Sequence, residues 1–189
     1  MRVLIACEFS GIVRDAFDSR GHYAVSCDVL PCEKPGRHEE GDIFAFIESS
    51  RPGSWDLMIA FPPCTHLAVS GARWFGDKRK EQRRAMRFFY ELAECKEIPR
   101  VAVENPIGIM STQYRRPDQI IQPWQFGHGE TKATCLWLKG LPLLVPTNIV
   151  DGRKARVHRE PPGPERWKNR SRTYQGVADA MAEQWGGTT

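Results

Sequence analysis

Apolar residues in this chain fall into short unbroken runs separated by amphipathic stretches. That is the pattern of strands covered on both faces alternating with helices. Residues 2–7 predict a first strand, and Gly11 to Ser19 a short helix after a turn. Tyr23 to Asp28 reads as a second strand, and Ile43 to Ser49 as a short helix behind Gly41-Asp42. Leu57 to Phe61 is continuously apolar and ends at Pro62-Pro63, which cannot donate to a sheet ladder. Lys80 to Lys96 has the strongest helical character, because Ala85, Phe88, Phe89, Leu92 and Ala93 recur at three- and four-residue spacing. Pro99 closes that unit, and Val101-Ala102-Val103 resumes a strand that runs into Glu104-Asn105-Pro106. Thr134 to Leu138 predicts another strand, and Ala178 to Gln184 a terminal helix.

Such alternation implies an α/β fold, a largely parallel sheet with helices on both faces. Right-handed crossovers then place every strand's carboxyl end on one edge. Glu8-Phe9-Ser10-Gly11, Asp28, Phe61-Pro62-Pro63-Cys64 and Glu104-Asn105-Pro106 would meet on that rim, where open α/β sheets bind ligands. Residues 1–138 form the core in this reading, and 173–189 a helix that returns to it. Between them, 139–172 is rich in Pro, Gly and Arg with little periodicity, a small irregular basic segment.

Composition narrows the class. A chain of 189 residues suits one domain, and 41% hydrophobic with 26% charged residues is ordinary for a soluble globular protein. The apolar start is too short for a signal peptide, and no run approaches the ~20 apolar residues of a membrane span. An intracellular protein is therefore expected. Six cysteines contain no Cys-x-x-Cys pair and five histidines no ligand spacing, so no metal site is expected. The net charge is only +4, but it is unevenly spread. Arg73, Lys78, Arg79, Lys80, Arg83, Arg84 and Arg87 crowd one stretch, opposed by Asp77 and Glu81. A second holds Arg153, Lys154, Arg156, Arg159, Arg166, Lys168, Arg170 and Arg172. Trp74 and Trp167 are interleaved with these charges, a combination suited to a polyanion with stackable bases. Arg73, Arg79, Arg83, Arg153, Arg156 and Arg170 are the candidate nucleic-acid contacts. A solvated helix face and a polar loop would explain either cluster taken alone.

Five features carry chemistry. Cys64 presents a thiol just past a central strand. Phe9-Ser10-Gly11 opens a helix whose first amides favour an anionic group. Asp28 ends the second strand, where an acid commonly binds a ribose hydroxyl. Asp42 is placed either to accept from an exocyclic amine or to cap the helix at Ile43. Glu104, beside apolar neighbours, is suited to hold a proton near neutrality.

In order, Phe-Ser-Gly, a second-strand acid, Gly-Asp-Ile, Pro-Pro-Cys, Glu-Asn and a late Gln-Gly resemble the DNA cytosine-5 methyltransferase family, nearest to its short, phage-type members. The likeness runs from Val3 to about Met110 and returns at Arg172 to Trp185. It implies a Rossmann-like, S-adenosylmethionine-dependent methyltransferase fold. Phe9, Ser10, Gly11, Asp28, Asp42, Ile43, Pro62 and Gly176 would hold S-adenosylmethionine, giving S-adenosylhomocysteine as product. Cys64 would add to C6 of cytosine, and Glu104 would bond N3 and the exocyclic amine. DNA would be the partner. The chain also departs from the family. Val13-Arg14 replaces a glycine pair, Pro106 follows Glu-Asn, and the large target-recognition domain is reduced to 139–172. The family's late arginine pair is absent, and Lys132 stands roughly in its place. Two rival readings follow from that reduction: methylation of a free cytosine nucleotide, or a silent methyltransferase-derived DNA-binding module. Amino-methyl transfer is disfavoured, because Phe61 rather than Asp or Asn precedes the Pro-Pro pair.

Overall fold

The computed structural model describes residues 1–69 and 78–187. Its seven-stranded sheet has the order β3-β2-β1-β4-β5-β7-β6. The strands are β1 Arg2–Ala6, β2 Tyr23–Asp28, β3 His38–Glu40, β4 Leu57–Ala60, β5 Arg100–Pro106, β6 Gln119–Ile121 and β7 Thr134–Lys139. The helices are α1 Ile12–Asp18, α2 Ile43–Ser49, α3 Arg79–Ala93, α4 Met110–Gln113, α5 Arg156–Arg159, α6 Arg166–Ser171 and α7 Gln175–Gly186.

Side chains alternate across the sheet with a period of two, so one run of apolar residues feeds two cores. Leu4, Ala6, Met58, Ala60, Val101 and Val103 pack towards α2 and α3. Val3, Ile5, Leu57, Ile59 and Ala102 face the opposite layer, with Phe17 of α1 and Ala178, Met181 and Trp185 of α7. Every residue of β4 is buried, as its unbroken apolar sequence requires. In α3, Phe89, Leu92 and Ala93 form the inward face, and Phe89 meets Trp137 of β7 edge-on at 5.0 Å.

The fold is α/β with a mostly parallel sheet, as the alternation implies, with one correction. β1 to β5 pair in parallel, but β7 runs antiparallel to both β5 and β6. The rim therefore receives the beginning of β7, Thr134, rather than its end. β3, β6 and α4 escape the hydrophobic pattern because they are short and partly polar or exposed. α7 starts three residues before the expected Ala178, since helix propensity does not mark where Tyr174 leaves extended backbone. The 139–172 segment is mostly irregular but holds two short helices, α5 and α6. Among the described residues, no helix is long and apolar enough to cross a membrane. None of their His, Cys, Asp and Glu side chains gather into a group of three that could hold a metal ion.

Backbone contacts lock two rim loops together. Val69 N donates to the Ile107 carbonyl at 3.1 Å and Ile109 N to the Leu67 carbonyl at 2.9 Å. A β-carbon at Gly108 would collide with the Leu67 carbonyl oxygen, so the close approach requires glycine. Gly108→Ala is expected to destabilise the protein by about 2 kcal/mol, the usual penalty of overpacking against backbone. Urea denaturation measures it, and an unchanged midpoint would show that the loops separate freely.

Candidate active site

Strands β1 and β2 build one half of the rim. Cys7 leaves β1 in a left-handed conformation (φ 59°), and its amide donates to the Cys27 carbonyl at 2.7 Å. A non-glycine residue held there is strained, and such strain gathers at functional turns. The turn drives Glu8 under the start of α1. Its carboxylate accepts from Val13 N at 2.7 Å, Arg14 N at 3.2 Å and Ser10 Oγ at 3.2 Å. Burial pushes the Glu8 pKa up, and these donors oppose the rise. The helix-start amides of Val13 and Arg14, expected to receive an anionic ligand, are thus occupied by the chain's own carboxylate. Gly11 takes a left-handed turn (φ 69°) and Ser10 Oγ accepts from Ile12 N, so these residues shape the loop behind Phe9.

Arg14, found where the family carries glycine, has a fully buried side chain. Its guanidinium donates to Asp15, to Ser26 Oγ at 3.3 Å, to Cys32 Sγ at 3.2 Å and to the Pro35 carbonyl at 2.8 Å. It organises the loop after β2. Asp28, at the end of β2, accepts from Leu30 N at 3.0 Å through Oδ1, and burial raises its pKa. Asp42 caps α2, accepting from Phe44 N and Ala45 N at 3.0 Å each, so the structure realises the capping alternative. Ile43 is buried in the core.

Strands β4 and β5 build the other half. Pro62 is buried, and its carbonyl accepts from Asn105 Nδ2 at 2.8 Å. The Cys64 carbonyl accepts from Leu67 N and Ala68 N at 3.0 and 2.9 Å, a tight turn that leaves the thiol half-buried. A cavity of about 310 Å³, open mouth included, is lined by Phe61, Glu104, Lys132, Thr134, Tyr174 and Met181 among others; Cys64 is not one of its lining residues. Lys132 and Thr134 reach it because β7 enters the sheet from the rim. Tyr174 is held by its hydroxyl on Glu130 Oε2 at 2.6 Å and by a tilted contact with the His128 ring, centroids 5.1 Å apart. Gly176, a candidate donor-binding residue, donates its amide to His128 Nε2 at 3.0 Å and lies against the Phe126 carbonyl.

Electrostatics couple the thiol and the acid. Burial pushes the Cys64 pKa up, the Glu104 charge adds to the rise, and Lys132 and Arg170 oppose it. Burial likewise raises Glu104, against the Lys132 charge and the Thr134 hydroxyl. The resting state is a neutral thiol beside a carboxyl with raised proton affinity, and the cations favour the thiolate once a proton leaves.

The basic clusters fare differently. Arg79 and Arg83 are exposed on α3, while Arg73 and Trp74 lie outside the described residues. Arg153 stacks on Trp124 at 4.0 Å and donates to the Val150 carbonyl. Arg156 Nε donates to both carboxylate oxygens of Glu130 at 2.9 Å, and Arg172 holds Glu33. Much of the second cluster is therefore engaged in holding the segment to the core. Arg170 is half-buried, near enough for its charge to act on Cys64. Sequence reasoning missed Glu8, Arg14 and Thr134 as organisers of the site. Only Glu8, an acid directly after a strand, left a local signal.

The architecture has a counterpart among solved structures. EhMeth, a methyltransferase of Entamoeba histolytica, superposes with a TM-score of 0.53 at 13% identity, covering 86% of this chain and 60% of its own. This is the Rossmann-like fold of the S-adenosylmethionine-dependent methyltransferases. The chain spans under two thirds of the length of EhMeth. The Dnmt2 methyltransferase of S. pombe is also similar, with a TM-score of 0.48 at 13% identity over 84% of this chain and 54% of that one. No protein-family model matches the sequence, and no curated protein does.

The coupling has a measurable consequence. Glu104→Gln removes the carboxyl whose charge raises the Cys64 pKa, so that pKa falls and alkylation of the thiol by iodoacetamide at pH 8 speeds up by about threefold or more. Lys132→Ala acts in the opposite direction. Peptide mass spectrometry separates Cys64 from the other five thiols, and identical rates in all three proteins would show that the groups do not sense one another.

Proposed function

We propose that the protein is an S-adenosylmethionine-dependent DNA cytosine-5 methyltransferase, with Cys64 as nucleophile. The observation that carries this reading is the coupling of the Cys64 thiol to the Glu104 carboxyl across the ends of adjacent strands in a methyltransferase fold. The resemblance of Pro62-Pro63-Cys64 and Glu104-Asn105 to the cytosine-5 family supports it independently.

The residues fit the donor. Asp28, which accepts from Leu30 N through Oδ1, stands at the end of β2 where an acid can take a ribose hydroxyl, and Phe9 follows the neighbouring β1. The bound donor supplies an electrophilic methyl on a sulfonium. Deprotonated Cys64 forms a bond to C6 of cytosine, saturating the 5,6 double bond and making C5 nucleophilic. Glu104 donates its proton's hydrogen bond to N3 and accepts from the exocyclic amine, stabilising charge that develops on the ring. Lys132, on the same cavity wall, balances the carboxyl and favours the thiolate. The methyl would pass to C5 as its bond to the sulfonium sulfur breaks and S-adenosylhomocysteine leaves; the C5 proton would then go to a base or water, and the C6–sulfur bond would break to return the double bond and the Cys64 thiolate. In duplex DNA the base must first leave the stack, at a cost of a few kcal/mol that basic contacts offset. Arg79 and Arg83 on exposed α3 and half-buried Arg170 are the contacts best placed for that; Arg153 and Arg156 are held by Trp124 and Glu130.

That internal pairing also favours a second reading, a free cytosine nucleotide as acceptor. Labelled methyl from S-adenosylmethionine is expected on C5 of DNA cytosine, with Cys64→Ala lowering transfer at least ~1,000-fold. Bisulfite mapping of host DNA after expression locates the modified positions. Transfer to dCMP but not to DNA would establish the second reading, and DNA binding without transfer to either would leave a silent binding module. DNA affinity is expected to fall by about tenfold or more between 50 and 200 mM salt, and a flat response would remove the arginines from the phosphate-contacting surface.

A further inference from the structure

Segment 156–173 is bound to the β1–β2 half of the rim by two contacts. The Trp167 ring lies against Phe9, centroids 5.6 Å apart and planes inclined at 53°. Arg172 grips both oxygens of Glu33, at 2.9 and 2.6 Å. Glu33 in turn donates its amide to the Phe9 carbonyl at 2.8 Å. Within the segment, Arg172 also donates to Asn169 Oδ1 at 2.7 Å, and Asn169 Nδ2 to Glu160 at 2.7 Å, so α6 is braced in place. Phe9 follows β1, and Glu33 belongs to the loop that follows Asp28. α6 therefore lies over the ends of two neighbouring strands, on the side of the ribose-binding acid.

Exposure separates the two rings. Phe9 is 8% exposed, whereas Trp167 is 50% exposed. The aromatic surface open to a planar ligand at this end of the rim is thus the indole, with Phe9 behind it.

We propose that Trp167 is a donor-binding residue, its ring forming the aromatic wall that receives the adenine of the methyl donor, with Phe9 as its backing and the Arg172–Glu33 pair as the clamp that holds the wall in place. The inference rests on the methyl-donor reading above. An indole suits this role: it offers a large rigid face to a purine and loses little rotamer freedom on binding. In the sequence, Trp167 sits among arginines and reads as a base-stacking residue for a polyanion. The fold instead turns it onto the donor loops. The same short helix carries Arg170, whose charge acts on Cys64, so one segment spans the donor end and the thiol end of the rim.

The test is equilibrium binding of S-adenosylhomocysteine to the full chain by calorimetry. Trp167→Ala is expected to weaken binding by about tenfold, the loss of one base–aromatic stack, and Trp167→Phe by less than about threefold. Arg172→Ala should weaken it in the same direction, by loosening the clamp. S-adenosylhomocysteine should also quench tryptophan emission in the wild type, and Trp167→Phe should abolish most of that quench while still binding. Affinity within threefold of wild type in Trp167→Ala, or an undiminished quench in Trp167→Phe, overturns the assignment. If Trp167→Ala does not fold, the quench in Trp167→Phe decides alone. A wild-type chain that binds no S-adenosylhomocysteine removes the donor reading and this inference together; one that binds it indifferently to Trp167 removes this inference only.

Discussion

The hydrogen bond from Asn105 Nδ2 to the Pro62 carbonyl joins the ends of β4 and β5, and the chemistry of the rim depends on it. Two prolines end β4 without amide donors of their own, so the loop that bears Cys64 needs an outside donor to keep its direction. Asn105 provides one from a buried position, next to Glu104 in the same strand. The amide pairs between Val69 and Ile107 and between Ile109 and Leu67 extend the tie beyond Cys64, and glycine at 108 permits the approach. The loop that bears the thiol is thereby tied to the strand end that bears the carboxyl. The other side of the Asn105 amide, Oδ1, is buried and has no partner among the described residues. An unmet acceptor of that kind is uncommon, and it belongs at a site where position outweighs stability.

The β1–β2 half of the rim is organised by internal charges. Glu8 fills the start of α1 with a carboxylate, and Arg14 fixes the loop after β2 from a fully buried position. An arginine where glycines would lie changes how that loop is held. Side-chain donors take over from close backbone packing, and neighbouring Gly11 and Gly36 leave the room the guanidinium needs. The consequence is a loop stiff enough for Glu33 to serve as an anchor for α6.

Anchoring explains the fate of the second basic cluster. Arg153, Arg156 and Arg172 each meet an aromatic ring or a carboxylate of the core. A sequence rich in arginine is read most simply as a surface for phosphates, but a guanidinium serves equally well as a fork for a carboxylate. Without a large hydrophobic interior of its own, segment 139–172 is attached to the core by such forks and by the Phe9–Trp167 contact.

The chain by itself determined the strands β1, β2, β4 and β5 and the rim they end on, because apolar runs stopped by prolines, acids and turns are local signals. It also determined that Cys64, Asp28 and Glu104 stand at strand ends, which follows from spacing alone. Tertiary structure decided what spacing cannot express. The antiparallel entry of β7 brings Lys132 and Thr134 to the cavity, a matter of strand direction that six residues do not record. Whether Asp42 caps a helix, whether Arg156 faces solvent, and whether Trp167 turns outward or onto Phe9 depended on partners 26 to 158 positions away in the chain or on a helix start beside it. Such choices are made by packing and charge pairing across the fold, where distance along the sequence carries no information about distance in space.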